Sequence, residues 1–523
     1  MGKGISFSMR AYLFFSVFAS GMTTLAVEFA ASRLLGSVFG TSNLVWASII
    51  GLILIYLTAG YFLGGRWADR WPSYGVFFTI LAWGAFTAGL VPFLSRPVLV
   101  QAAQAFDHLQ VGVLLGSFSA VVVLFIIPIT LLGTISPFAI RLALRDSRKA
   151  GQIAGKIYAI STLGSFIGTF TPDLVLIPLI GTRLTFVTFS LFLVCVALGG
   201  LWKVGGWRGA LKWSWMPVVL IVLGGMWGQS SIKKTPGQIY ETESSYNYIQ
   251  VIERNQYRYL RLNEGQGVHS VYHPDQIAYE GTWMQVLAAP FFNAPPYCPE
   301  DVENMAIIGL AAGTTARQTS HAFGPIPIDG FEIDPEIIRV GQAYFGMTQP
   351  NLNPIPKDGR WGLVTSEKTY SIISMDAYRP PYIPWHLTTV EFFEIVYDHL
   401  APQGVASINV GRAPDDQRLL AGLVATVKTV FPSVYVIDVP GSFNSIIYAT
   451  KQPTKVDNLS ENYQMLVAEY GPTGMLQRAV EIALSNRRPI PEGGEVFTDN
   501  QAPIEWITNN MVLHFILSGQ AME

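Results

Sequence analysis

Met305-Ala306-Ile307-Ile308-Gly309-Leu310-Ala311-Ala312-Gly313 and, further on, Gly330-Phe331-Glu332-Ile333-Asp334-Pro335 form the passage on which the fold turns. An apolar run runs into a G-x-A-x-G turn, whose small residues let the backbone approach a ligand before a helix begins. Glu332 follows Gly313 by 19 residues. That is the spacing at which an acidic residue closing the second strand meets ribose hydroxyls in nucleotide-binding α/β domains.

Further strand signals surround this passage. They lie at 371–376, 404–410, 434–438 and 444–450, with helical patterns between. Such alternation predicts a mostly parallel, doubly wound sheet. Asp358-Gly359-Arg360 follows the third crossover and Asp376 closes the fourth strand. Both carboxylates are therefore expected at the carboxyl edge of the sheet, where ligands bind in such folds. Upstream, the strand signals at 248–252 and 257–262 are separated by a polar turn and predict a hairpin module.

The rest of the chain is of another kind. Residues 1–235 hold 17 Lys and Arg against 5 Asp and Glu, which leaves 17 against 31 of the totals of 34 and 36. A mean hydropathy of +0.34 and 13% charged residues for the whole chain point away from an all-soluble protein. A basic, apolar first part suits an anionic membrane surface, the acidic second part reads as a soluble domain, and neither reads as a nucleic-acid binder. Cys195 and Cys298, the two cysteines, provide neither a disulfide framework nor a Cys-based metal site.

Apolar runs starting near Ala11, Leu44, Tyr74, Val111, Ile153, Thr182 and Trp213 predict about seven membrane-spanning helices. Residues 97–106 are expected to form a short interfacial helix. The organisation expected is a transmembrane bundle over 1–232, a β-hairpin module over 233–275 and an α/β catalytic domain over 276–523. The clusters Lys3 and Arg10, Arg66 and Arg70, Arg141 to Lys149, and Lys203 to Lys212 fall on one side, which makes the N-terminus cytoplasmic. If Trp213 to Gln229 spans, the second half emerges outside; if it lies in the interface, the second half stays in. Glu28, inside the first span, is costly in lipid and is either a functional carboxyl or one protonated or paired within the bundle.

Gly60 to Tyr74, a Gly-rich helix end followed by Asp69-Arg70, resembles a loop of major facilitator transporters. The second half resembles the spermidine synthase family of aminopropyltransferases, in particular its membrane-fused bacterial members. The resemblance rests on Glu241 to Ile249, Leu262 to Ser270, Gly330 to Pro335, Asp376 to Pro384 and Thr498 to Glu505. It implies a Rossmann-like, methyltransferase-type domain behind an N-terminal β-hairpin. It also implies decarboxylated S-adenosylmethionine, or S-adenosylmethionine, as co-substrate, with no metal. Carried over residue by residue, it has Glu332 binding ribose, Asp358 with Gly359 holding the adenine, and the Gly309 to Gly313 turn beneath the nucleoside. Asn247 would contact the cofactor, Tyr279 and Tyr378 would line the acceptor side, and Asp376 would be the general base. An alkylammonium of pKa about 10 attacks a sulfonium-activated carbon only after losing a proton.

Two departures bear on the acceptor. Ala311 and Ala312 stand where the family turn carries an Asp, and Arg379 replaces a second Asp after the fourth strand. Loss of both carboxylates disfavours a diamine. Arg379 suits an anionic or lipid-headgroup acceptor, or a donor that keeps its carboxylate. His269 and His273 read as hairpin surface residues, and 378–386 as an ordered gate loop. Methyl transfer, lyase cleavage and non-catalytic sensing of a nucleoside or polyamine are the alternatives to aminopropyl transfer. The implied location is the inner membrane, multi-pass, with the catalytic domain cytoplasmic because the donor is made there. The implied partners are a small-molecule amine or membrane-associated acceptor and the lipid bilayer, and a homodimer is a further expectation.

Overall fold

The structure, a computed structural model, describes residues 7–39, 43–106, 112–144, 146–228, 232–233, 235–263, 267–378, 383–413 and 416–517. Two compact units partition it. One comprises the chain up to Thr235 together with Glu241–Tyr248 and Asn263–Gly265, and the other holds the rest.

The first unit is helical. Five of its segments are long and apolar enough to cross a membrane: Met9–Phe39, Val45–Arg70, Tyr74–Ser95, Gly116–Ala143 and Ser147–Leu211. The last has 65 residues. At about 1.5 Å per residue it would be about three times too long for one crossing. It breaks at Gly181 (φ 79) and Gly206 (φ 67), positions that only glycine adopts without strain. The break at Gly181 separates it into two helices, which begin close to the expected starts of the fifth and sixth spans, near Ile153 and Thr182. Residues 97–106, expected as a separate helix, continue the helix Tyr74–Phe106.

The seventh expected span is the 13-residue helix Trp215–Trp227. It runs back along the preceding helix: a Cβ on Gly224 would stand 3.2 Å from Val187, and one on Gly228 2.4 Å from Leu184. At its end Arg183 donates to the Trp227 carbonyl (3.2 Å).

Small residues set the closest helix contact. A Cβ on Gly164 would lie 2.1 Å from the Phe18 carbonyl oxygen, and one on Gly168 2.0 Å from that of Met22. Gly164-x-x-x-Gly168 is therefore a small-xxx-small face on which the helices Ala150–Thr171 and Phe7–Phe39 touch by backbone. Gly168→Leu is expected to push them apart and destabilise the unit by about 1 to 3 kcal/mol. A lowered unfolding temperature in detergent checks this; an unchanged one would refute the contact.

Arg33 pairs with Asp173 (3.2 Å) and donates to the Ser244 carbonyl (2.7 Å). Glu243 accepts from the Thr182 backbone N–H (2.7 Å) and hydroxyl (2.5 Å). One end of the bundle thus holds strand residues of the same unit. Asp69 and Arg141 pair at 2.8 Å between the last turns of the helices Asn43–Arg70 and Ile135–Ala143.

The second unit carries a large sheet and most of a smaller one, whose residues Glu241–Glu243 and Tyr248 belong to the first unit. Strands β1 (Gln238–Glu243), β2 (Tyr248–Arg254), β3 (Tyr257–Leu262) and β4 (Ser270–Tyr272) form a small sheet in chain order. β2 and β3 are antiparallel through a two-residue turn, Asn255-Gln256, with φ of 52 and 68. Positive φ at both positions matches the twist of a tight hairpin.

The large sheet contains β5 (Met305–Ile308), β6 (Ile328–Phe331), β7 (Leu352–Ile355), β8 (Tyr370–Met375), β9 (Leu400–Gly411), β10 (Ser433–Asp438) and β11 (Asn444–Thr450). Its order is β10-β11-β9-β8-β5-β6-β7. β5 to β9 are parallel, and β11 and β10 close the sheet as an antiparallel pair. Alternation along the central strands serves both faces: Ala306 and Ile308 join the core with Phe392 and Phe393, while Met305 and Ile307 join that with Phe291 and Phe292. Strand order reverses between β5 and β8, which opens a crevice at their carboxyl ends.

Candidate active site

The turn after β5 is bent by Gly309 (φ 87), Ala311 (φ 48) and Gly313 (φ 85). A Cβ on Gly309 would stand 2.6 Å from the Asp376 carbonyl oxygen, so the end of β8 reaches the turn only because residue 309 is glycine. Glu332, buried at 7% exposure, accepts from the Ala311 N–H (2.9 Å) and the Asp334 N–H (3.1 Å). Its carboxylate thereby fixes the strained turn. Burial pushes its pKa up to about 7, partly offset by these amide donors. β4 closes over the same turn, where Ser270 Oγ accepts from the Ala312 N–H (2.9 Å).

A cavity of about 420 Å³ opens at this edge, a size typical of small-molecule sites. Gly309, Leu310 and Ala311 line it, as do Asp376, Tyr378 and Asn409. Asp376 is held at the end of β8 by its N–H to the Ile308 carbonyl (2.9 Å), and its Oδ1 accepts from Asn409 Nδ2 (2.7 Å). Burial raises its pKa to about 6, and the Asn409 hydrogen bond lowers it in part. A carboxylate poised there is matched to accepting a proton near neutrality. Tyr378 Oη accepts from the Gly411 N–H and so ties the ends of β8 and β9 together; burial drives its pKa upward.

Asn409→Leu is expected to remove the donor that favours ionised Asp376. The acidic limb of any rate profile governed by Asp376 then moves up by about one pH unit. A limb that stays in place would show that Asn409 does not position the carboxylate.

The other residues singled out from the sequence lie elsewhere. Asp358 caps the helix Gly359–Val364, accepting from the Trp361 N–H (3.0 Å) and contacting His386 Nε2 (2.9 Å), whose hydrogen bond lowers its pKa. Gly359 sits where a Cβ would fall 2.3 Å from Ile308. Tyr279 accepts from the His273 N–H (2.6 Å) and donates to the Gln276 carbonyl (2.5 Å), which makes it a loop brace. Asn247 belongs to the first unit and bonds Asn263 (3.0 Å). Arg379 lies outside the described residues. Glu332, Asp358, Tyr279 and Asn247 are not among the cavity's lining residues.

His269 departs from the surface placement expected of it. It lines the cavity, its Nε2 is buried without a partner, and burial lowers its pKa to about 4, so the ring is neutral. His273 is buried as well, at 7% exposure. Among the described residues no cluster of His, Cys, Asp or Glu is arranged to hold a metal ion. Arg412 and Asn409 are among the polar lining residues that sequence reasoning passed over. The one signal available for Asn409 was a polar residue ending a buried strand.

A reversing parallel sheet, a Gly-bent turn after its first strand and an acid closing the second define a Rossmann-like, methyltransferase-type domain. No family model matches the chain. Over its C-terminal half the chain is similar to polyamine aminopropyltransferases. It is 30% identical over 280 residues to a probable polyamine aminopropyl transferase of Bifidobacterium longum, covering 51% of this chain and 61% of that one. It is 29% identical over 225 residues to a polyamine aminopropyltransferase of Vibrio vulnificus, covering 41% and 69%. Among solved structures, a probable spermidine synthase of Corynebacterium glutamicum aligns at 19% identity and a TM-score of 0.39, covering 52% of this chain and all of that one.

Proposed function

We propose that this protein is a membrane-attached, spermidine synthase-like aminopropyltransferase that uses decarboxylated S-adenosylmethionine and releases 5′-methylthioadenosine. The observation that carries the reading is Asp376, a carboxylate with pKa raised to about 6, in a cavity at the switch point of the sheet. The homologues named polyamine aminopropyltransferases support the same chemistry. The amine nitrogen attacks the propyl carbon next to the sulfonium, and the carbon–sulfur bond breaks. The bonding pair goes to sulfur, which leaves as a neutral thioether, and Asp376 takes the proton from nitrogen. The buried, unpartnered Oδ1 of Asn409 suits an ammonium that donates beside Asp376.

The helical unit attaches the enzyme to the bilayer. With the Lys and Arg clusters inside, the end that bears Arg33, Asp173 and Thr182 lies outside, and there Glu243 and Ser244 are held. In this reading the chain leaves the bundle at its outer end, whereas the source of the donor favours the cytoplasmic side. A phosphatase fused after Gly237 should be active and a fluorescent fusion there dark; the converse would put the catalytic unit inside.

Purified full-length protein given decarboxylated S-adenosylmethionine and a panel of amines is expected to release 5′-methylthioadenosine in proportion to modified amine. S-adenosylhomocysteine as product would mean methyl transfer instead. Nucleoside release without modified amine would mean lyase cleavage.

A further inference from the structure

Arg412 follows directly on β9 and lines the cavity. Its Nε lies 3.2 Å from Asp438 Oδ1, and the same oxygen lies 3.0 Å from Arg488 Nη1. Ser445 also donates to that oxygen (2.6 Å). One carboxylate thus serves two guanidiniums, and the trio is net positive. Arg412 Nε has no hydrogen-bond partner of good geometry. Asp376 and Arg412 are the formally charged side chains among the described residues lining the cavity.

Their order along the sheet is informative. Glu332 follows β6, the Gly turn follows β5, Asp376 follows β8 and Arg412 follows β9, and these strands are neighbours in the order β9-β8-β5-β6. All four are parallel, so their ends share one edge. With strands about 4.8 Å apart, Arg412 stands roughly 10 Å from the Gly turn, on the far side of Asp376. Nucleoside over the turn and proton transfer at Asp376 leave the β9 end to the far end of the acceptor.

Resting on the aminopropyl-transfer reading, we propose that the acceptor is an amine carrying an anionic group, with its amine at Asp376 and its anion on Arg412. Carboxylate and phosphate both fit a guanidinium. A diamine would bring a second ammonium to a net positive cluster.

The test compares putrescine with 4-aminobutyrate, which replaces one ammonium by a carboxylate, and with O-phosphoethanolamine. Equilibrium binding to the full-length protein in the presence of 5′-methylthioadenosine is measured beside turnover. At least one anionic amine is expected to bind about tenfold more tightly than putrescine. The better of the two identifies a carboxylate or a phosphoryl source. Arg412→Gln should abolish that preference and Arg412→Lys retain part of it, and 5′-methylthioadenosine binding shows that each variant is folded. Tighter binding of putrescine, no binding of any amine, or a preference that survives Arg412→Gln would overturn the proposal. Should the anionic amines bind preferentially while no product forms, the charge assignment stands and the aminopropyl-transfer reading fails.

Discussion

Asp376→Asn is expected to lower product formation by about two to four orders of magnitude, the range for loss of a positioned general base. The amide keeps the side chain's shape and the contact with Asn409, whose Nδ2 donates at 2.7 Å, but it cannot take a proton. The pH profile separates this from structural damage. A base whose pKa is raised to about 6 is idle when protonated, so the wild-type rate should rise with pH through about 6 and then level. The residual rate of the variant should lack that limb. Full activity in Asp376→Asn, or a limb that survives it, would assign the base elsewhere.

The second large effect is expected at Glu332. Its two oxygens receive the Ala311 and Asp334 backbone N–H groups, and an amide can accept only one of them. Glu332→Gln therefore leaves a buried donor facing an NH₂ group beside the Gly turn. Binding of 5′-methylthioadenosine should weaken by about 1 to 3 kcal/mol, roughly fivefold to 150-fold. The same variant changes stability against pH. The folded pKa is about 7, above the ordinary glutamate value of about 4.3. The folded state thus favours the proton, and Glu332 contributes stability that is present below about 4.3 and lost as pH rises through about 7. Denaturant unfolding between those limits should show a shallower fall in the variant. An unchanged slope and unchanged nucleoside affinity would mean that the turn does not depend on this carboxylate.

What the residues reveal without coordinates is what depends on neighbours along the chain. Alternation of apolar strands and helical segments made the parallel sheet legible. Gly309, Gly313 and Glu332 were legible because a tight turn and a strand end each need particular residues at short spacing. Asp376 could be placed because a buried strand must stop where a carboxylate begins. β7 was less visible, since Leu352-Asn353-Pro354-Ile355 is an edge strand whose Asn and Pro mask its character.

Tertiary structure alone decided which side chains meet. Composition counts apolar residues but does not register a positive φ at Gly181, so the point where one helix turns into the next could not be fixed from it. His269 looked like a surface residue of a hairpin, and only the packing of β4 on the Gly turn buries it. The Arg412 cluster draws on Asp438 at the end of β10 and on Arg488 beyond it, positions joined by the antiparallel return of β10 and β11. Tyr279 and Asn247 had suitable chemistry, but local hydrogen bonds claim both. A side chain's chemistry is written in its own residue, whereas its direction and its partners come from strands that pair across tens of positions, which is why the turn was readable and the cation beside the base was not.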